Sequence, residues 1–502
     1  MAKAHCMQIP AFHSDTSMTN NAHPTPPPPA QLKSNCLSYA EVIAQSIAVI
    51  APSTVPAAVM GLIFASAGNG TWLSILLGMT GLLFVSLNIN QFARRSASPG
   101  SLYTYIVQGL GPTAGVMSGW GMLLAYTLTG MSTLCGFAIF TDIMLKDFGL
   151  HLPYAVLFAI GTAAACYVAY KDVQLSARMM LVLEGISIVS IIVLGFIVWN
   201  SHGFAVDTQQ LTLQHATPGG IFTGIILVVF GFSGFESSTS LGAEAKDPLR
   251  SIPRSIIQST LFTGIFFLFM GYIIVLGYRS LPLNLATTQA PLEVFAAGTG
   301  LKPLIYIINI GVILSFFSCT LACINSTARI VFSMARHGIF HDALGEAHET
   351  NQTPYAAVFI CALITFLVPT VLVGLTHVDV FNAQGYFGTL CSFGFLLVYI
   401  LVSVAAPIYL KQIGSLRVRD IFYSVTAVIF MLMPLIASIG ISGSSMMPPP
   451  EYPNNLFPWI FLAYMGVGFG WFIFQRLRIP NLIGAMKDSI ETAQPASQEA
   501  AQ

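Results

Sequence analysis

Two glutamates stand inside long apolar stretches of the chain. Glu236 directly follows the apolar residues 230–235, and Glu184 lies within the apolar run that begins after Arg178. A carboxylate at membrane depth is costly, and it marks a functional site more often than not. Glu236 is therefore predicted to bridge two helical segments, to sense a bound ligand or to carry a proton. The alternative is a structural carboxylate that hydrogen-bonds to its own helix end.

Glu184 admits two interpretations that the sequence leaves open. It lies about one and a half helical turns beyond Arg178, so its side chain would snorkel to the membrane surface or pair with a basic residue. The other interpretation is a role in coupling or gating.

Interruptions in two apolar stretches indicate where a ligand would bind. The first stretch contains Pro52 and Pro56, and the sixth contains Gly231 and Gly234 beside Glu236. Broken helices survive in hydrocarbon only where the freed backbone groups line a cavity or meet another partner. Two breaks that lie five spans apart are typical of two inverted repeats with a binding site between them. The alternative is that proline and glycine are simply common in membrane helices.

The freed ends of the two broken helices predict a receptor for a zwitterion. The start of a half-helix favours an anion such as a carboxylate, because its N–H groups are unpaired. The expected donors are the backbone N–H groups of Thr54, Val55 and Ala57, with the hydroxyls of Ser53 and Thr54. A break in the sixth stretch frees carbonyl groups that suit an ammonium group. These carbonyls lie near Phe230, Phe232 and Ser233, next to the hinge at Gly234.

The composition places these stretches in a lipid bilayer. Of the 502 residues, 55% are apolar and only 8% are charged, whereas a soluble domain carries about 25% charged residues. The net charge is zero, which argues against a nucleic-acid partner. The eight cysteines form no CxxC pair, so no disulfide is predicted. Cys319 and Cys323 are expected to pack within a helix rather than to bind a metal.

Twelve apolar runs have the length of about 20 residues that a bilayer-crossing helix requires. They predict an all-α integral membrane protein, with a 5+5 inverted repeat and two further C-terminal helices. The runs lie near residues 40–66, 73–92, 113–141, 152–170, 178–200, 218–243, 255–279, 303–335, 355–375, 384–409, 420–441 and 456–476.

The basic residues give an independent test of this count. Cytoplasmic segments collect Lys and Arg. With both termini inside, all 20 basic residues except Lys146, Arg279 and Lys302 fall on the inner side. One missed helix would invert every later loop and remove this asymmetry. We therefore predict a multi-pass protein of the plasma membrane, or of the inner membrane in a bacterium, with both termini cytoplasmic.

The same spans define the predicted organisation of the chain. Residues 1–37 contain a run of prolines and no apolar core, which predicts a disordered tail rather than a signal peptide. The first repeat is predicted at 38–200, the second at 218–410 and the last two helices at 411–479. Residues 480–502 are predicted to be a second disordered tail.

Three motifs in register resemble the amino acid–polyamine–organocation (APC) superfamily. Gly234-Phe235-Glu236 is followed by Asp247-Pro248 and Ile252-Pro253-Arg254. The start of the third span contains Pro99-Gly100-Ser101-Leu102-Tyr103-Thr104-Tyr105, Gly111-Pro112 and Gly119-Trp120. The end of the eighth span contains Ser333-Met334-Ala335-Arg336-His337-Gly338, then Thr353-Pro354. The resemblance covers roughly residues 38–476.

This resemblance implies a leucine-transporter-type fold that holds an amino acid between its first and sixth helices. It implies substrate contacts from the third and eighth spans, and ordinary helix packing is the alternative for these residues. They are Ala125, Tyr126, Gly130 and Cys323. The chain departs from the family at residues 50–56, where many members have Gly-Ser-Gly. The two prolines here remove amide donors, and the lysine of some proton-coupled relatives is replaced by Ser187.

The sequence predicts a secondary active transporter for amino acids or related amines that works by alternating access. A nutrient sensor on the same fold is the alternative. The chain has no HExxH, GxSxG or Walker-type motif, which argues against an enzyme or an ATP-driven pump, and no cofactor is predicted. Coupling to protons or exchange is favoured over sodium, for which hydroxyls on the eighth span are the candidates. They are Thr320, Ser326 and Thr327.

Overall fold

The two proline residues of the first span break it where the sequence predicted. In the computed structural model, which describes residues 31–288, 290–298, 302–441, 444, 449–484 and 486, helix α1 spans Tyr39–Ile50. Ala51 takes a left-handed conformation with φ 47°, and a π-helical turn, Val55–Val59, leads into α2, Met60–Ala67. Pro52 and Pro56 have no N–H to donate, so a regular helix cannot continue through them.

Twelve membrane crossings agree with the helices of the described chain. Eleven helical stretches there are long and apolar enough to cross a membrane, and the first runs over 55 residues, Tyr39–Ala93. At 1.5 Å per residue that stretch is about 80 Å long, more than twice the thickness of the hydrocarbon layer. The chain turns at Gly68, where φ is +55°. We therefore assign two crossings to this stretch, which gives the predicted number.

The other helices lie close to the predicted runs. They are α3 Thr71–Ala93, α5 Pro112–Lys146, α6 Tyr154–Lys171, α7 Val173–Ser201, α9 Pro218–Phe232, α10 Pro248–Tyr278, α12 Lys302–Arg336, α13 Tyr355–Thr376, α14 Val380–Gln412, α15 Val418–Ile439 and α16 Phe457–Arg478. Three short helices were not predicted, because each falls below the length of a membrane span. They are α4 Leu102–Leu110, α8 Thr208–Leu211 and α11 Pro291–Gly298.

The sixth span is also broken. Helix α9 ends at Phe232, Gly234 has φ +89°, and a short 3-10 turn, Ser237–Leu241, follows Glu236. A positive φ of this size strongly favours glycine. Both predicted interruptions are therefore present, and they lie on helices that pack around a common centre. Helix α5 runs through that centre between α12 and α14, and α1 packs against α7, α10 and α12.

Short parts of the two predicted tails belong to the described part of the chain. Residues 1–30 and 487–502 lie outside the described part of the chain. Residues 31–37 are ordered against the loop that follows the sixth span, since the N–H groups of Cys36 and Leu37 donate to the carbonyl of Glu244 at 2.9 and 3.0 Å. Leu482, near the other end, is 2% exposed. Each of these short segments therefore has an apolar side chain, Leu37 or Leu482, that is buried in the protein.

The crossing count leads to a test of topology. Reporter domains fused after Asp207 and after Arg250 are expected to lie on opposite sides of the membrane, because one span, α9 with its 3-10 turn, separates them. A fusion after Asp207 should report the outside and a fusion after Arg250 the cytoplasm. Paired reporters that are active on opposite sides would measure this, and two fusions on the same side would refute the assignment.

Candidate functional site

The two helix breaks lie against each other in the interior. A Cβ atom added at Gly231 would lie 2.8 Å from Cγ2 of Val55, and one added at Gly234 would overlap Cγ1 of Val49. The end of α9 therefore approaches the first span as closely as the backbone allows. Glycine is required at Gly234 twice over, by its positive φ and by this lack of space.

Glu236 is held at the meeting point by two tyrosines. The hydroxyl of Tyr126 on α5 donates to Oε1 at 2.8 Å, and that of Tyr399 on α14 donates to Oε2 at 2.6 Å. The N–H of Gly234 donates to the hydroxyl of Tyr399 at 3.1 Å. All four residues are buried. Hydrogen bonds to an ionised group are stronger than neutral ones, so this arrangement stabilises a carboxylate.

Glu236 has no counter-charge within the part of the chain that the structure describes. Within the described residues, none of the ion pairs includes Glu236. A buried carboxylate without a cation is unfavourable in a low-dielectric interior. The site is therefore suited to a ligand that brings its own positive charge.

Tyr399 was missed by the sequence analysis. It contacts Glu236 from a position 163 residues later in the chain, and it stands among aliphatic residues with no motif around it. The family motif did indicate Glu236, and alignment did indicate Tyr126. Only the packing of α14 against α5 shows that a second hydroxyl completes the pair.

The first break offers fewer donors than predicted. The N–H of Thr54 donates to the carbonyl of Ala51 at 2.9 Å, and the N–H of Ala57 donates to the carbonyl of Ser53 at 3.3 Å. The Thr54 hydroxyl also donates to Ala51, at 2.8 Å, and the Ser53 hydroxyl accepts from Ser187 at 2.6 Å. The prediction that these N–H and hydroxyl groups are unpaired and available to a carboxylate is therefore corrected. The segment satisfies most of its own polar groups.

The predicted carbonyls of the sixth span are partly engaged. The carbonyl of Phe230 accepts from the N–H of Ser233 at 3.0 Å, and the Ser233 hydroxyl donates to Val229 at 3.1 Å. The Phe232 ring is buried against Phe267 on α10, with ring centres 4.9 Å apart. The Phe230 ring lies instead against Gly388 of α14, where an added Cβ would be 2.7 Å from Cζ.

Three of the predicted wall residues pack helices together. An added Cβ at Gly130 would lie 3.3 Å from Cβ of Cys323, and one at Gly394 would lie 3.0 Å from Cβ of Ala125. These contacts favour the packing alternative for Ala125, Gly130 and Cys323. Tyr126, the fourth residue of that set, reaches the carboxylate.

A cavity of about 190 Å³ lies between α2, α5, α9 and α14. Its wall is mostly apolar, with Ala58, Leu62, Leu227 and Phe230, and Gln384 is among its polar residues. In the predicted topology this is the outer side of the two breaks, and Phe230 connects the cavity wall to the broken segment that contains Glu236.

A buried ion pair lies on the side of the breaks that is cytoplasmic in the predicted topology. Nε of Arg329 on α12 lies 2.8 Å from Oε1 of Glu244, and the two side chains are 2% and 1% exposed. Burial raises the pKa of the Glu244 carboxyl, and the Arg329 guanidinium opposes that shift. The carbonyl of Glu244 also accepts from Cys36 and Leu37. In the predicted topology, this ion pair seals the inner side of the breaks, and the cavity beside Phe230 lies on the outer side.

The structure does not bring the three candidate sodium hydroxyls together. Nε2 of Gln45 on α1 donates to the carbonyl of Ala322 at 2.9 Å and to the hydroxyl of Ser326 at 3.0 Å. Thr320 pairs with the hydroxyl of Thr133. Thr327 bonds to its own helix at the carbonyl of Cys323, 2.8 Å away. The amide nitrogen of Gln45 thus joins α1 to α12, and its Oε1 is buried without a hydrogen-bond partner.

Glu184 is buried and does not snorkel. Its side chain is 2% exposed, and the hydroxyl of Ser315 on α12 donates to Oε2 at 3.0 Å. Arg178, the basic residue nearest along α7, pairs instead with Glu41 at 2.9 Å. The interpretation as a surface carboxylate is therefore wrong, and Glu184 is a second buried acid of the membrane region.

These features define a polytopic membrane carrier, with two broken helices around a buried carboxylate and a cavity next to the breaks. The family profile described as "Amino acid permease" matches residues 41–478. The chain belongs to this family, within the APC superfamily.

Its relatives are transporters, and each aligns with the chain over a similar share of both lengths. The branched-chain amino acid permease BcaP of Bacillus subtilis (strain 168) is 26% identical over 69% of the chain and 75% of the relative. The low-affinity putrescine importer PlaP of Escherichia coli (strain K12) is 24% identical over 68% and 74%. The methylthioribose transporter of Bacillus subtilis (strain 168) is 20% identical over 69% and 75%. The protein is thus a permease and not an enzyme.

Proposed function

We propose that this permease carries amino acids or related amines across the membrane by alternating access, with the substrate ammonium bound beside Glu236. The observation that carries the proposal is the geometry of Glu236, a buried carboxylate with two tyrosine donors. Those donors stabilise the charge, and among the described residues no basic side chain pairs with it. An ammonium group would supply the missing positive charge in a site with little water.

The rest of the site favours an apolar substrate body. The cavity beside Phe230 is lined mainly by aliphatic and aromatic side chains, and such walls gain from the removal of apolar surface from water. A carboxylate would meet few free donors at the first break, because Thr54 and Ala57 are already engaged. The ammonium end therefore contributes most of the recognition. Two of the relatives are named for ligands that both carry amines, branched-chain amino acids and putrescine.

Transport requires a second arrangement in which the inner side opens. In this change, two five-helix repeats, residues 38–200 and 218–410, move relative to each other, with the helices of 411–479 outside them. The protein lies in the plasma membrane, or in the inner membrane of a bacterium, with both termini cytoplasmic. Transport is coupled to protons or runs as exchange, and the buried carboxylates Glu236 and Glu184 are the candidate proton sites.

A matched set of ligands tests this function. Purified protein should be stabilised by isoleucine or putrescine and not by N-acetyl-isoleucine, which lacks the ammonium group. A ligand at about 100 times its Kd adds about 2.7 kcal/mol to the free energy of unfolding, so thermal shifts would reveal binding. Proteoliposomes should then accumulate the bound amine.

The outcomes separate the competing functions. Equal stabilisation by the acetylated compound would refute the role of the ammonium group. Binding without any flux would favour the nutrient sensor.

A further inference from the structure

The interface between α7 and α12 contains polar atoms that lack partners. We call it the α7–α12 seam, formed by Glu184 and Ser187 on α7 and by Gly311, Ser315, Ser318 and Cys319 on α12. Ser315 donates to Oε2 of Glu184. Oε1 of Glu184 and the hydroxyl oxygen of Ser318 are buried without a hydrogen-bond partner. Buried polar atoms without a partner are rare and costly.

None of the ion pairs of the described residues includes Glu184. From α12, the ionisable group beside Glu184 is the thiol of Cys319. Helices α1, α6, α10 and α11 also pack against α7. Each of them carries an ionisable group that contacts, or lies beside, a group other than Glu184. These groups are Glu41 of α1 with Arg178 of α7, Tyr170 of α6 with His348, Tyr272 of α10 with Asp207, and Glu293 of α11 beside Asp147.

The two helices pack closely at the seam, since a Cβ atom added at Gly311 would lie 3.3 Å from Cα of Ser187. A proton on Oε1 would turn it from an acceptor into a donor, and the Ser318 hydroxyl on the same interface can accept from it. The protonated carboxyl therefore fits the closed seam without a counter-charge, whereas an ionised Glu184 would have hydroxyl groups beside it and belongs to none of the ion pairs of the described residues.

The seam is connected to both sides of the break in the first span. The hydroxyl of Ser187 donates to the hydroxyl of Ser53 at 2.6 Å. The thiol of Cys319 donates to the carbonyl of Val49 at 3.1 Å. Val49 lies in the last turn of α1, and Ser53 follows it in the broken segment. If α7 and α12 separate, the first span cannot keep both bonds in their present geometry.

We propose that Glu184 is the proton-binding site of this permease and that its protonation keeps α1 in the closed inner position. This inference rests on the proposed transport function and adds the coupled ion to it. When the proton leaves Oε1 for water, the carboxylate needs hydration, because an unpaired charge is strongly disfavoured in the interior. Water enters only if the seam opens, and the opening breaks at least one of the bonds that hold the first span to Ser187 and Cys319. A higher pH on the inner side therefore favours the inward-facing arrangement.

Glu184→Gln tests the proposal, because the amide keeps the shape of the carboxyl and carries hydrogen at every pH. Proteoliposomes of the parent, acidic outside, should accumulate isoleucine or putrescine beyond equilibration. Glu184→Gln should lose that accumulation, while its Kd for the same ligand stays within about twofold of the parent value. Glu349→Gln, at an exposed loop position, is the matched control and should behave as the parent does.

A second variant covers the case in which Glu184→Gln does not fold. Ser187→Ala keeps the carboxylate and removes the bond to Ser53, so it should reduce pH-driven accumulation and preserve binding. Accumulation by Glu184→Gln at the parental level would overturn the proposal, and so would loss of ligand binding in a folded Glu184→Gln. If the parent itself neither binds nor transports the amines, the proposed function fails, which is a different outcome from an effect on Glu184.

Discussion

Replacing Gly234 by leucine is expected to abolish substrate binding while the protein remains folded in detergent. The backbone at Gly234 has φ +89°, and an added Cβ would overlap Val49 and lie 3.8 Å from Cε1 of Tyr126. A side chain in a left-handed conformation costs about 1–2 kcal/mol, and overpacking adds about 1–3 kcal/mol. Relief of this strain would displace the broken segment and with it Glu236. We expect affinity to fall by about 30-fold or more.

The measurement is the Kd of the best amine ligand, obtained by thermal shift on monodisperse protein. Gly466→Leu is the matched control, since Gly466 lies on α16 and an added Cβ there meets no atom within 4 Å. That variant should bind as the parent does. Normal affinity in Gly234→Leu would contradict the placement of the site between the two breaks.

Replacing Glu236 by glutamine should be as damaging, for an electrostatic reason. Glutamine keeps the volume, but its amide nitrogen is no acceptor, so one of the two tyrosine donors loses its partner. The positive charge of the substrate loses its counter-charge as well. Removal of one partner from a buried charge pair costs about 2–5 kcal/mol, so affinity should fall by about 30-fold or more.

Tyr399→Phe is the control for this substitution, because it removes one hydrogen bond and leaves the charge. Loss of a hydrogen bond to a charged group costs about 1.5–3 kcal/mol, so the effect should be smaller. Unchanged affinity in Glu236→Gln would exclude an ammonium contact there. The same variant examines the earlier prediction that Glu236 carries the coupled proton. If it binds and loses only its response to a pH gradient, Glu236 and not Glu184 is the coupling group.

The crossings were predictable from sequence because each depends on a local property. A run of apolar residues and the charges beside it set the position and direction of a span. The breaks at Pro52, Pro56 and Gly234 were predictable for the same reason, since proline and glycine act on the backbone where they stand. Helix α4 was missed because its nine residues, Leu102–Leu110, are too short to be detected as a span.

The site was only partly predictable because its contacts join distant parts of the chain. Glu236 was recognised as a buried charge, yet its partners lie 110 and 163 residues away. The hydrogen bonds that engage Thr54 and Ala57 depend on the path of the backbone through the first break, which two prolines leave open. The surroundings of Glu184 could not be predicted from its own helix, because Ser315 and Ser318, which make those surroundings polar, lie on α12.

The contacts of the first helix also determine the order in which the protein can be completed. Helix α1 is synthesised before the other described membrane helices, yet Gln45 donates to Ala322 and Ser326. The seal that Cys36 and Leu37 help to form requires Arg329, about 290 residues after Leu37. At about 5–20 residues per second, ribosomes need about 15–60 s to reach it. During that time polar groups of α1 lack their final partners, so this early helix is among the last to be fixed in place.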